Sequence, residues 1–328
     1  MILVCGEALI DVFVAAGDGP ELPATLVAGG SPFNVALGLA RLGRPVAYCG
    51  SLSTDRFGTL LRGVLAGEGV DLRFAVTKPQ PTTLSVVAQA ANGQPHYSFY
   101  GHNGADRCLT VADLPSTLPD TITAIAMGSY SLAVGTTGEA LAHLAAREHA
   151  RRVISVDLNL RPALVGPLDA WRQRFAGFVR TASIVKASDE DVALAYGAGT
   201  DLGACAAGWR AEGASLVVIT RGAAGAIAFL AGTMVEVPGR TIAVADTVGA
   251  GDGFHAALLA GLGRRGLLTP ESVRALSPTT VHAVLVEAVA ASALACTRRG
   301  ADLPRTAEVT AFMLGTDGSP APGQAGSG

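Results

Sequence analysis

The chain has 328 residues, 49% hydrophobic and 16% charged, enough to bury a sizeable core as one large α/β domain or two ordinary ones. A net charge of −3 at pH 7, with no run of basic residues, argues against a nucleic-acid surface. Five scattered cysteines, none in C-x-x-C spacing, suggest neither a zinc site nor a disulfide framework and suit a reducing cytoplasm.

The N-terminal stretch Met1–Glu7 lacks a basic n-region, and its apolar run is too short for a signal peptide. Ile2 to Val4 reads as the first strand, and Leu9 to Val14 as a second that ends in the loop Gly17-Asp18-Gly19-Pro20. A helix follows Gly29-Gly30, with Ser31 placed as its N-cap, Pro32 at its first position and Gly43 at its close. Val46 to Cys49 is a short strand, and Asp55 to Ala66 a helix. Thr83 to Ala90 and His96 to Tyr100 break the strand–helix rhythm: they read as a hairpin turned at residues 91–95. Together with Asp11 to Val14 and Ala24 to Ala28, they are expected to form a small separate sheet that caps a site as a lid. The lid is drawn from about residues 11–28 and 82–108.

From Ile122 onward, strands at 122–127, 153–157, 184–186, 216–220, 226–230 and 234–237 alternate with helices near 137–148, 168–180, 189–195, 203–211, 250–261 and 279–295. Val- and Ile-rich strands in such alternation predict an α/β fold, with a mostly parallel central sheet covered on both faces. Val281 to Cys296 is the most membrane-like stretch, but it carries His282 and Glu287 and reads as a buried Ala-rich helix. The Gly/Pro/Ser-rich tail over 315–328 is expected to be disordered.

The most informative segment is Asp246-Thr247-Val248-Gly249-Ala250-Gly251-Asp252, which opens an apolar helix. Small residues leave the amides of Gly249, Ala250 and Gly251 bare at a helix N-terminus, where anions are attracted. Asp252, in the first turn, is placed to take a proton from a nucleophile approaching a bound phosphoryl group. Taken alone, the pattern also describes an ordinary capped helix.

Several chemistries are missing. The only lysines, Lys78 and Lys186, precede Pro79 and Ala187, so no Walker A loop exists. Gly261-x-Gly263-x-x-Gly266 follows a helix rather than a strand, so its glycines read as a helix end. No G-x-S-x-G or H-E-x-x-H occurs, and His255 reads as a packing residue.

Four other features point to phosphate and polyol binding. Thr220-Arg221-Gly222-Ala223-Ala224-Gly225 follows a strand, where an open sheet binds ligands. Asp157-Leu158-Asn159-Leu160-Arg161 also follows a strand and offers an amide and a guanidinium for anions. Gly29-Gly30, with Asn34 in the next turn, lets a substrate approach the backbone, and Asp11 can accept two hydroxyl hydrogen bonds. Each has a purely structural reading as well.

The D-T-x-G-A-G-D signature, with Gly29-Gly30-x-x-x-Asn34 near the N-terminus, resembles the ribokinase-like (PfkB) carbohydrate kinases over residues 1 to 314. Residues 30–43, 157–161 and 186–190 look most like bacterial fructokinases, with 2-keto-3-deoxygluconate kinases the nearest relatives of other specificity. The resemblance implies a three-layer sandwich with a β-sheet lid, and transfer of the γ-phosphoryl group of ATP to a ketohexose, D-fructose foremost. Ribose or nucleoside kinases and a non-catalytic sugar-binding protein are the other readings. It implies Asp252 as base and Gly249, Ala250 and Gly251 as anion hole. Asp11, Gly29, Gly30, Asn34, Tyr100 and Arg161 fall at sugar positions. Asn159, Arg161, Ser188, Thr220, Gly222 and Gly225 fall on the nucleotide side.

Magnesium accompanies ATP in such enzymes, with Asp191 at the place of the N-x-x-E acid, and Asp246 falls where many members bind a monovalent cation such as potassium. An apolar outer face on the lid would pair two copies; no nucleic acid or membrane partner is implied. Two departures stand out. Ser188-x-x-Asp191 replaces N-x-x-E, shortening the acid's reach, and Gly101 stands where keto-acid-binding relatives place an Arg.

Overall fold

The computed structural model describes residues 1–15, 17, 19–89 and 95–315. The N-terminal elements are β1 (Ile2–Cys5), β2 (Leu9–Val14), β3 (Ala24–Gly29), α1 (Ser31–Arg41), β4 (Val46–Cys49), β5 (Ser51–Ser53), α2 (Arg56–Gly67), β6 (Val76–Lys78), β7 (Leu84–Gln89) and β8 (Pro95–Tyr100). Next come β9 (Ala124–Gly128), α3 (Gly135–Glu148), β10 (Val153–Asp157), α4 (Pro162–Val165), α5 (Leu168–Val179), β11 (Ile184–Ser188), α6 (Asp189–Tyr196) and α7 (Leu202–Glu212). The chain closes with β12 (Leu216–Thr220), β13 (Ala226–Leu230), β14 (Thr233–Val237), α8 (Ala250–Arg264), α9 (Pro270–Arg274), α10 (Pro278–Cys296) and α11 (Thr306–Leu314).

The main sheet has the order β14-β13-β12-β11-β10-β9-β1-β4. Its pairings are parallel from β4 to β12 and antiparallel at β13 and β14. Successive residues of β1 divide between two cores. Ile2 and Val4 join α1, α8 and α10 on one face, while Leu3 and Cys5 join α3 and α5 on the other. A strand buried on both faces reads as an unbroken apolar run, which is why these strands show little alternation.

Directly after β1 the chain leaves this sheet. β2 instead forms a second, four-stranded sheet of order β3-β2-β7-β8, the small separate sheet expected from the sequence. The hairpin turn read at 91–95 lies outside the described residues up to 94, as do Ala16 and Asp18 of the Gly17–Pro20 loop and the tail from 316. Gly315 itself caps α11 in a left-handed conformation.

α10 is long and apolar enough to cross a membrane by length and composition, yet 56% of that window is buried, and the helix lies against α8. Close packing sets the sequence there: a Cβ on Gly261 would stand 3.1 Å from Val284 Cγ1. α8 thus runs three residues past its expected end at Gly261. Only Gly266, with φ near 70°, ends the helix, which corrects the reading of all three glycines as terminators.

Candidate active site

Many of the sequence-predicted residues stand at strand ends or at the start of α8: Asn159 and Arg161 follow β10, Ser188 ends β11, Thr220 ends β12, and Gly249 to Asp252 open α8. Gly249 caps α8 in the left-handed region, φ 78°. A Cβ there would also press on Ala301 at 2.7 Å, so two independent constraints select glycine. Of the three amides expected to be bare, that of Ala250 turns back to the Thr247 carbonyl at 3.2 Å. The tight turn closes partly on itself.

Asp252 lies in the first turn of α8 and is only 7% exposed. Ser31 Oγ donates to its Oδ1 at 2.6 Å, and Asn34 Nδ2 donates to its Oδ2 at 2.8 Å. Asn34 Oδ1 is left buried without a protein partner. The expected role of Ser31 as N-cap is corrected here. Gly30, φ 108°, takes the cap position and accepts the Asn34 N–H at 2.9 Å. The Ser31 hydroxyl is spent on Asp252 instead. Burial raises the Asp252 carboxyl above its usual value, opposed by these two hydrogen bonds and by the charges of Lys186 and Arg161.

Asp11 enters from β2, paired in register with Ser85 of β7. Burial raises its carboxyl too; the Ser85 hydrogen bond opposes the rise, the Asp252 charge adds to it and Arg161 opposes it. Those influences place Asp11, Arg161 and Asp252 within one electrostatic neighbourhood. A Cβ on Gly29 would collide with Asp11 Oδ2, and one on Gly30 would stand 2.9 Å from the Glu7 carbonyl oxygen. Tyr100, by contrast, is 65% exposed on β8, the edge strand of the lid, outside the buried cluster.

On the other side, Asn159 is one of two non-glycine residues with positive φ among those described, at 34°. It is held from both flanks: Leu158 N–H donates to the Lys186 carbonyl and Leu160 N–H to Asp191 Oδ1, each at 2.9 Å. Asp191 Oδ2 accepts from the Ser188 hydroxyl at 2.7 Å, completing a capping box on α6. Both Asp191 oxygens are therefore engaged by the protein. Arg161 is exposed, its Nη1 donating to the Leu160 carbonyl. Ser188 and Thr220 lie opposite each other across β11 and β12. Gly222 and Gly225 then turn the chain with φ 50° and 90°. Asp246 ties two loops together, accepting from Val248 N–H at 3.1 Å and Gly300 N–H at 2.9 Å.

The sequence reading missed Lys186 as a site residue. Its Nζ lies 2.8 Å from Asp157 Oδ2, with both side chains almost fully buried. Burial lifts the Asp157 carboxyl, and the Lys186 ammonium opposes that rise. Burial works against the ammonium as well, but the carboxylate holds it above the usual lysine value. A lysine set between Val185 and Ala187 in a chain with one other lysine was the available signal. His255 behaves as expected for a packing residue. Its Nε2 shares a 2.8 Å hydrogen bond with Ser155 Oγ, and burial first, then Lys186, depresses it to about 3. Among the described residues, no group of three His, Cys, Asp or Glu is arranged to hold a metal.

Residues 1–308 match the family model for pfkB family carbohydrate kinases. A fructokinase of Rhizobium leguminosarum bv. trifolii is 41% identical over 276 residues, covering 84% of each chain. The crystal structure of a Xylella fastidiosa fructokinase with bound ATP superposes with a TM-score of 0.87 at 28% identity, covering 96% of this chain and 98% of that one. A fructokinase double mutant from Vibrio cholerae, with fructose, ADP and potassium ion bound, gives 0.80 at 26% identity, covering 95% and 97%. With that match over nearly its whole length and Asp252 set in the first turn of α8, the chain belongs to the pfkB family of carbohydrate kinases.

Proposed function

We propose that the protein transfers the γ-phosphoryl group of ATP to a hydroxyl of D-fructose. The observation that carries this reading is Asp252, buried in the first turn of α8 and oriented by Ser31 and Asn34. Its raised carboxyl suits a general base, because such a base works best near the operating pH. Asp11 and Asn34 hold the sugar hydroxyls, and the glycines at 29 and 30 keep the approach open. Gly249, Ala250 and Gly251 bind the transferring phosphoryl oxygens; the Ala250 amide exchanges its long turn bond for the anion. Asn159, Arg161, Ser188, Thr220, Gly222 and Gly225 hold the remaining phosphates.

Magnesium would be held by the nucleotide's phosphate oxygens and waters rather than by a protein cage, and would supply charge neutralisation at the phosphates. Asp191 acts on the Asn159 turn from behind. Asp246 and its neighbouring loops are the place for a potassium ion. Leu22 and Leu26, about half exposed on and beside β3, give the lid an apolar outer patch for pairing with a second copy. The location is cytoplasmic. Lid closure over the sugar excludes the water that would otherwise accept the phosphoryl group.

A coupled ADP-release assay with fructose, ribose, 2-keto-3-deoxygluconate and nucleosides tests the substrate. Fructose is expected to give the highest kcat/KM; preference for the keto-acid would transfer the assignment to that class. Asp252→Asn is expected to fold and to lose ~10²–10⁴ in turnover. Near-normal turnover would end its assignment as base.

A further inference from the structure

The Lys186–Asp157 pair is an expensive feature for its position. Burying two charges costs about as much as their attraction returns, and apolar residues of similar volume often serve stability equally well. Asp157, moreover, leaves its Oδ1 without a partner. The location of the ammonium supplies a reason for the pair. A Cβ on Gly251 would stand 3.1 Å from Lys186 Nζ, so the charge rests against the phosphate-facing turn, one residue before Asp252. The glycine admits it.

The charged surroundings of Asp252 make the need clear. Asp11 of β2 and Asp157 of β10 oppose its ionisation, with Asp191 of α6 beyond them. Lys186 of β11 and Arg161 after β10 favour ionisation, while His255 on α8 itself is neutral. Arg161 is exposed and screened by solvent. Lys186 is the buried cation of the set.

We propose that Lys186 is a positioning residue for phosphoryl transfer: its ammonium, held by Asp157 against Gly251, keeps Asp252 ionised and gives the anion-binding turn a fixed positive charge. The inference rests on the kinase reading above and goes beyond it by assigning a cation built into the protein to both halves of the reaction. A preorganised charge in a water-poor pocket acts on the transition state without reorganising.

The test compares the wild type with Lys186→Met and with Lys186→Met/Asp157→Leu. The double variant removes both charges with side chains of similar shape; leucine is bulkier than aspartate, and a small cavity lined by Val4, Val35, Met127 and His255 lies beside it. Melting temperature, kcat and KM for fructose are measured from about pH 5 to 9, and the acid limb of kcat is expected to move up by about one pH unit or more in Lys186→Met, and by less in the double variant, which also loses the Asp157 charge that opposes Asp252. Turnover at neutral pH should fall about tenfold or more, with KM changed less than about threefold and the double variant melting like the wild type. Wild-type turnover at neutral pH in the double variant, or an unmoved acid limb in Lys186→Met, would reduce Lys186 to a partner for Asp157 and overturn the proposal. A double variant that does not fold would do the same. A wild type without turnover on any sugar would instead remove the kinase reading, a separate and recognisable failure.

Discussion

Ser31 and Asp252, 221 residues apart in sequence, share a 2.6 Å hydrogen bond in which the serine hydroxyl donates to the carboxylate. A hydrogen bond to a charged group is worth roughly 1.5–3 kcal/mol, and its removal favours the protonated acid. Ser31→Ala should therefore raise the carboxyl further and shift the acid limb of kcat upward by about one pH unit or more. Activity is lost first on the acid side and recovers as the pH rises. A pH profile superimposable on the wild type would show that the hydroxyl does not tune the base.

Gly29→Ala places a methyl group against Asp11 Oδ2. The carboxylate must swing away from the sugar, while β3 loses no hydrogen bond. KM for fructose should rise about tenfold or more, with a much smaller change in kcat, since hydrogen bonds to a charged group are at stake. Titration of initial rates against fructose decides it; an unchanged KM would take Asp11 out of the sugar site.

Asn159→Gly probes the left-handed residue at the end of β10. Relief of backbone strain is worth about 1 kcal/mol, and glycine's extra freedom in the unfolded chain returns a similar amount. The melting temperature should hardly move. If its amide holds a phosphate as proposed, KM for ATP should nevertheless rise about tenfold. Unaltered ATP affinity would assign Asn159 to the turn alone.

Glu7, in the loop between β1 and β2, is buried, with a hydrogen bond from Ser131 Oγ to its carboxylate. Burial raises its carboxyl from 4.5 to about 7, against the opposing bonds from Ser131, its own amide and Ser129. The folded state binds this proton more tightly than the unfolded state does. The resulting stabilisation is complete below 4.5, fades as the pH rises towards about 7 and is gone above it. Glu7→Gln, neutral throughout, should match the wild type near the acid end and be more stable above neutrality by up to about 3 kcal/mol. Urea unfolding on both sides of that window measures the difference; a gap that does not widen with pH contradicts it.

The architecture was largely legible because its strands are short apolar runs punctuated by polar ends. β2, β10, β12 and β13 have the bounds read from the sequence. β5 and β6, three residues each, are too short to show a period. At the site, the glycine turn, Asp252 and Asn34 announced themselves through local chemistry. Ser31 was misjudged because capping is a local preference and its actual partner comes from the far end of the chain. Lys186 was overlooked for a related reason. A lysine on a strand carries no local motif, and only the parallel register of β10 and β11 sets Asp157 beside it.

Gly30 is the whole connection between β3 and α1, since the strand ends at residue 29 and the helix begins at residue 31. The strand belongs to the sheet that carries Asp11, and the helix carries Ser31 and Asn34. A torsional change at this one backbone joint acts on the strand beside Asp11 and on the helix that carries Ser31 and Asn34. On the function proposed above, this joint would couple the seating of the sugar to the alignment of the acid.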